Sequence, residues 1–291
     1  MKPRDIADLV LLAALWGGSF LFMRYAAPAF GALPLMWLRV AIATACLLPL
    51  LVWRGQVGAL RERIGVVTVM GLFNSAIPFV LIAWATLSIT AGLASILNAT
   101  VPIMTALIGA VWLRDRLGMG RLAGLVIGMA GVVLLAADKA DFKPGGSGWA
   151  LLAMVAATTC YGFAANFTKR HLTGVPPMVN AAGSQIVSAV ALAPFALWTW
   201  PAQTPAPLAW GAAVALGIGC TAIAYVLFFR LIERVGASRA VTVTFLVPMF
   251  GTLWGTLFLG EVVTLSMLVG GAVVLMGTGL STGVIRGFER S

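Results

Sequence analysis

Charge is scarce in this 291-residue chain: Asp, Glu, Lys and Arg together make up 10% of it. A water-soluble domain carries about 25%, because its outside must be wet. Too few charges are present to coat such a surface, which excludes a soluble globular class. Acids are scarcer still. All nine (Asp5, Asp8, Glu62, Asp115, Asp138, Asp141, Glu233, Glu261 and Glu289) stand at the ends of apolar runs or between them. The single histidine, His171, also falls in a break. Cys46, Cys160 and Cys220 lie within apolar runs with no pair at metal-ligand spacing, so neither a disulfide nor a metal site is expected. With no buried acid and no phosphate-binding Gly-Lys loop, enzyme chemistry has nothing to work with. No cofactor is expected.

What is present is apolar: aliphatic, aromatic and sulfur-containing residues fill 61% of the chain and the mean hydropathy is +1.02. About 20 apolar residues cross the hydrocarbon of a bilayer as a helix. That length, laid along the chain, gives ten spans at roughly 6–24, 33–53, 65–86, 91–112, 121–137, 148–168, 178–199, 209–232, 238–260 and 264–283. An all-α integral membrane protein in contact with lipid follows. Span 1 follows Lys2 and Arg4 and ends near Ala26–Ala29, as a signal peptide would. The repeat described next pairs it with a later span, so it is expected to be retained.

The net charge of +10 would suggest a nucleic-acid partner in a soluble protein; here its distribution argues against one. Of 19 Lys and Arg, 15 fall at alternate breaks: Lys2 and Arg4; Arg54, Arg61 and Arg63; Arg114, Arg116 and Arg121; Lys169 and Arg170; Arg230, Arg234 and Arg239; Arg286 and Arg290. The positive-inside rule then places both termini in the cytoplasm of a bacterial-type inner (plasma) membrane. The alternation also requires an even number of spans.

The chain resembles itself at a shift of 146 residues. Val101-Pro102 meets Val247-Pro248, Gly109 meets Gly255, Asp115 meets Glu261, Gly124 meets Gly270 and Gly131 meets Gly277. At 145, Trp16-Gly17 meets Tyr161-Gly162 and Arg24 meets Lys169. Two five-helix repeats, 1–140 and 145–291, are expected. Five is odd, so the second copy is inverted. Inverted repeats flanking a site near the bilayer midplane recur in secondary transporters.

Three features, taken together, resemble a known family: Trp16 to Phe20 (WGGSF), the paired prolines of spans 4 and 9, and the acidic turns ending in Asp115 and Glu261. They are similar to the ten-helix EamA-type branch of the drug/metabolite transporter superfamily, most of all its YddG-type aromatic amino acid exporters. The resemblance covers the whole chain. It implies export of amino acids, metabolites or toxic compounds, while relatives carry nucleotide-linked or phosphorylated sugars.

Within the spans, aromatic side chains suit stacking against an aromatic or apolar solute: Trp16, Phe20, Phe79, Tyr161, Phe163, Tyr225 and Phe245. Asn74, Asn98 and Asn166 either bind substrate or tie helices together, and Thr244 matches Asn98 in the repeat. Pro102 and Pro248 are expected to bend spans 4 and 9, as hinges or as fixed helix shape. Arg39 is read as a snorkelling side chain, the alternative being attraction of a carboxylate in an outer vestibule. Asp115 and Glu261 are read as helix-end or turn hydrogen bonds, or else as coupling groups. Small residues such as Gly124 and Gly128 are expected to pack the bundle rather than build a dimer, and a monomer is expected. The resulting expectation is a facilitator exporting neutral aromatic or hydrophobic amino acids through a cavity lined by spans 1, 3, 4, 6, 8 and 9. The alternatives are a carrier of phosphorylated or nucleotide-linked sugars and a proton-coupled drug exporter.

Overall fold

The computed structural model describes residues 2–115, 117–137, 141–143 and 146–284. The readings made at Arg116, Asp138, Lys139, Arg286, Glu289 and Arg290, and the repeat boundary at 140 and 145, lie outside them. Eight helices are long and apolar enough to cross a membrane: Pro3–Phe30, Ala32–Trp53, Ile64–Ala85, Ala91–Trp112, Met119–Ala137, Ser147–His171, Pro177–Trp198 and Pro207–Val235. Two shorter apolar helices follow, Val243–Leu259 and Leu265–Ser281. These are spans 1 to 10. Among the described residues there is no strand. The reason is the solvent: in hydrocarbon every backbone N–H and C=O must be satisfied within the chain, which a helix does locally.

The spans pack through glycine. A Cβ on Gly277 of span 10 would run into Gly128 of span 5, and one on Gly131 would lie 2.8 Å from Val274. Spans 5 and 10 are thus seated backbone to backbone. Two further close approaches keep the repeat spacing. Gly17 of span 1 lies against Phe250 and Gly251 of span 9, where a Cβ would meet atoms at 2.7 and 2.8 Å. Gly162 of span 6 lies against Met104 and Thr105 of span 4, at 2.8 and 2.9 Å. Filling either groove with a methyl group overpacks a seam that has no slack.

Several spans are not regular helices. Residues Leu72–Ala76 of span 3 and Ala215–Ile223 of span 8 form π-helical turns, which shift the backbone bonding by one residue and re-aim the side chains they carry. Span 4 breaks at Ala99–Thr100 between the segments Ala91–Asn98 and Val101–Trp112. The amides there make tightened bonds to carbonyls three residues back (Ala99 to Ile96, 3.0 Å; Thr100 to Leu97, 3.1 Å). The Thr278 hydroxyl of span 10 donates to the freed Ala99 carbonyl at 2.9 Å.

The paired prolines are not placed alike. Pro102 stands at the second position of its segment, just past the break, where a missing N–H costs least. Pro248 lies inside the continuous helix Val243–Leu259. The interruption near the start of span 9 comes earlier, at Val241–Thr242, after the short helix Ala237–Ala240.

Candidate functional site

A cavity of about 640 Å³ lies at the centre of the bundle. Spans 1, 3, 4, 6, 8 and 9 contribute to its wall, together with Arg39 of span 2 and the ends of spans 5 and 10. Nine of the eleven candidate binding residues face it: Trp16, Phe20, Asn74, Phe79, Asn98, Tyr161, Asn166, Tyr225 and Thr244. Phe163 and Phe245 do not. Each follows a wall residue, Tyr161 by two positions and Thr244 by one, and a helix turns about 100° per residue. Phe163 instead joins an aromatic stack outside the cavity, 4.7 Å from Phe73 and 5.2 Å from Trp112 between ring centroids. Pro102 is in the wall and Pro248 is buried behind it.

The π-turns set the polar side chains of the middle. Asn74, on the turn of span 3, donates from Nδ2 to the Tyr225 hydroxyl of span 8 at 3.2 Å. Thr221, on the turn of span 8, donates to the Leu216 carbonyl at 2.8 Å and accepts from Arg39 Nε at 2.9 Å. Trp16 packs 5.2 Å from Phe228 between ring centroids and closes one side of the wall. The asparagines divide into different roles. Asn166 is buried and its Nδ2 donates to the carbonyls of Thr105 and Gly162, both at 2.9 Å, so it ties span 6 to span 4. Asn98 differs: its Oδ1 is buried with no hydrogen-bond partner, a costly state for an acceptor unless a ligand or water satisfies it.

Arg39 does not snorkel. It is 5% exposed, and its guanidinium carbon lies 3.8 Å from the centroid of the Phe79 ring. The π-turn of span 8, which presents Thr221, and the ring of Phe79 hold it inward at a depth where snorkelling would have drawn it out. Neither π-turn carries a recognisable composition, so the sequence held no signal for this inward aim.

The cavity reaches one end of the bundle and not the other. Asp115, Leu117, Arg121, Lys169, Val241, Ser281 and Thr282 line its open end, where Lys169 Nζ pairs with Asp115 Oδ2 at 2.9 Å. At the opposite end Glu261 accepts from the backbone amides of Ala91 (2.7 Å) and Gly92 (3.1 Å), the first residues of span 4. There Arg24 Nη1 also donates to the carbonyls of Thr86 and Leu87 at 2.6 and 2.9 Å, tying span 1 to the end of span 3. Both acids therefore bond to another span, Glu261 to the start of span 4 and Asp115 to the end of span 6. Among the described residues no three His, Cys, Asp or Glu side chains come together to hold a metal ion.

Comparison with known proteins bears on what such a bundle does. A probable terminal-alkyne amino-acid exporter of Streptantibioticus cattleyicolor is 26% identical over 92% of this chain and 90% of its own length. The uncharacterized transporter YdfC of Bacillus subtilis is 27% identical over 95% and 91%. A protein of known crystal structure, 22% identical, superposes with a TM-score of 0.68 over 98% of this chain and 99% of its own, so the fold is shared. The model of the EamA-like transporter family matches residues 6–137 and 148–283, and the chain belongs to that family of multi-pass membrane transporters.

Proposed function

We propose that the chain exports neutral aromatic or hydrophobic amino acids and related small molecules by alternating access, as a facilitator. Two inverted five-helix repeats, 1–140 and 145–291, would exchange conformations around the central cavity, with Pro102 and Pro248 letting the parts of spans 4 and 9 move separately. The observation that carries this reading is the asymmetry of a wall built from paired parts: the cavity reaches the end beside Asp115 and stops short of the end where Glu261 bonds the start of span 4. The glycine contacts of spans 1 with 9 and 6 with 4, which keep the repeat spacing, support the two-copy arrangement. So does the name of the Streptantibioticus relative, for the class of cargo.

The same reading makes the open end cytoplasmic, with both termini there and the protein in a bacterial-type inner membrane, because the alternating Lys and Arg gather on that side. Facilitation is supported by the wall itself: Asp115 is its one acid among the described residues, and it is paired with Lys169. A monomer is supported by the glycine faces of spans 5 and 10, which are occupied by each other.

Counterflow in liposomes tests it. Labelled Phe and Trp are expected to enter vesicles preloaded with either, saturably and with trans-stimulation, without a pH gradient. Thr and a sugar phosphate are expected to enter poorly. Arg39 in the wall favours a second reading, a carrier of phosphorylated or nucleotide-linked sugars. Sugar-phosphate counterflow above that of Phe would select that reading, and a strict requirement for a pH gradient would select proton-coupled drug export.

A further inference from the structure

We propose that Arg39 is the anion receptor of the central cavity and that its ligand is the carboxylate of the carried solute. This rests on the reading of that cavity as the transport site. Arg39 is buried, and none of the ion pairs among the described residues includes it; those join Arg4, Lys169 and Arg234 to acids elsewhere. Its hydrogen-bond and ring partners among the described residues are one hydroxyl, one ring and one thioether: Thr221 at 2.9 Å, Phe79 at 3.8 Å and Met23 Sδ at 3.9 Å. None of them carries a negative charge. A charge held this deep in a bundle is expensive to keep without a counter-ion and marks a pathway or a ligand.

The molecule contains its own neutral control. Gln185 stands 146 residues after Arg39 and Ser75 stands 146 before Thr221. Gln185 Nε2 donates to Ser75 Oγ at 3.0 Å, as Arg39 Nε does to Thr221 Oγ1. Gln185 is fully buried and outside the cavity wall. An uncharged amide therefore makes the same tie between helices. The positive charge at 39 exceeds what that tie requires, and it is the member of the pair that lines the cavity.

The geometry also selects the shape of the anion. One face of the guanidinium lies on Phe79 and Nε is used by Thr221, while Nη2 has no partner among the described residues. Nη1 spends one hydrogen on Met23 Sδ at 3.9 Å, so the edge left for a ligand is formed by Nη2 and the second hydrogen of Nη1. A carboxylate matches such a fork with two parallel hydrogen bonds. Trp16, Phe20 and Tyr161 on the same wall supply apolar and aromatic surface for the rest of the solute. A phosphate would use the same fork, but its second charge would call for a further cation beside Arg39. Lys169 stands at the open end, paired with Asp115.

The test uses the full chain in detergent, with calorimetric binding of 3-phenylpropionate, phenethylamine and phenyl phosphate, alongside Phe counterflow in liposomes. The wild type is expected to bind 3-phenylpropionate and not phenethylamine. Arg39→Gln, which retains the means to bond Thr221, is expected to weaken 3-phenylpropionate binding about tenfold or more with an unchanged melting temperature. Equal binding of phenethylamine, or 3-phenylpropionate binding unaffected by Arg39→Gln, overturns the receptor. Tighter phenyl phosphate binding overturns the carboxylate assignment. Phe counterflow unchanged in Arg39→Gln sinks the receptor and leaves amino-acid transport standing. Arg39-dependent 3-phenylpropionate binding without any amino-acid counterflow does the reverse. Should Arg39→Gln fail to fold, the wild-type ligand series decides alone.

Discussion

Asp115 and Glu261 stand 146 residues apart, and each donates its amide to the carbonyl of a glycine six residues back, Gly109 at 3.2 Å and Gly255 at 3.1 Å. Each acid also follows a residue of positive φ, Arg114 at +56° and Gly260 at +65°, and the carboxylates are used differently. Glu261 reaches across to the first amides of span 4, where the positive end of the helix backbone adds to each bond, and that end of the cavity is shut. Asp115 finds a lysine in solvent, its side chain 46% exposed and that of Lys169 63%, and that end is open. The difference teaches that the same turn can tie two spans together through backbone donors at one end and leave an exposed ion pair at the other.

Breaking the closed end gives the largest effect. Glu261→Ala removes two charge-assisted hydrogen bonds, each worth about 1.5–3 kcal/mol. A cysteine placed at Phe20 is then expected to react with a membrane-impermeant thiol reagent from the side that Glu261 seals. Labelling from that side no faster than in the parent would show that Glu261 is not the latch.

The prolines sharpen the comparison next. Pro248→Ala supplies an amide inside a continuous helix and is expected to stabilise by up to about 3 kcal/mol while slowing counterflow. Pro102→Ala, at a segment start, is expected to move the melting temperature less. If the double replacement leaves the transport rate unchanged, both prolines are fixed elements of helix shape.

A methyl group on each glycine separates the two turns more finely. A Cβ on Gly255 would collide with Glu261 Oε2, whereas one on Gly109 would sit 3.4 Å from Asp115 Oδ2 and 3.0 Å from Asn166 Oδ1. Gly255→Ala is therefore expected to cost about 1–3 kcal/mol and to mimic Glu261→Ala in thiol labelling. Gly109→Ala is expected to cost less. Equal losses in thermal unfolding would contradict the asymmetry.

The smallest effect belongs to the open end. Lys169→Met breaks an exposed pair worth about 0–1 kcal/mol, and the melting temperature is expected to shift little. A large fall would mean that the pair holds the bundle together.

The positions of the spans were legible because about 20 apolar residues in a row have one use in a chain this poor in charge. The wall was legible in part, since aromatic and amide side chains near the middle of several spans converge there. The direction in which each side chain points was harder to read. Helices wetted by lipid on one side and packed on the other are apolar all round, so no polar face marks the inner side. For this reason the sequence did not show that Phe163 and Phe245 turn away from the cavity or that Arg39 turns into it. The break of span 4 falls at Ala99–Thr100, before the proline that announces it, because Pro102 has no N–H for the carbonyl four residues back, that of Asn98, and its ring crowds that carbonyl.

Spans 1 and 2 meet at a single residue, Gly31, whose φ of +81° lets the chain reverse where a side chain would resist. When two legs joined by one rivet spread, as a pair of compasses does, the joint stays nearly still and the points move far apart. Trp16 and Phe20 ride on one leg and Arg39 on the other, so the ring platform and the guanidinium are leashed together at the rivet. Any widening of the gap between them must grow with distance from Gly31.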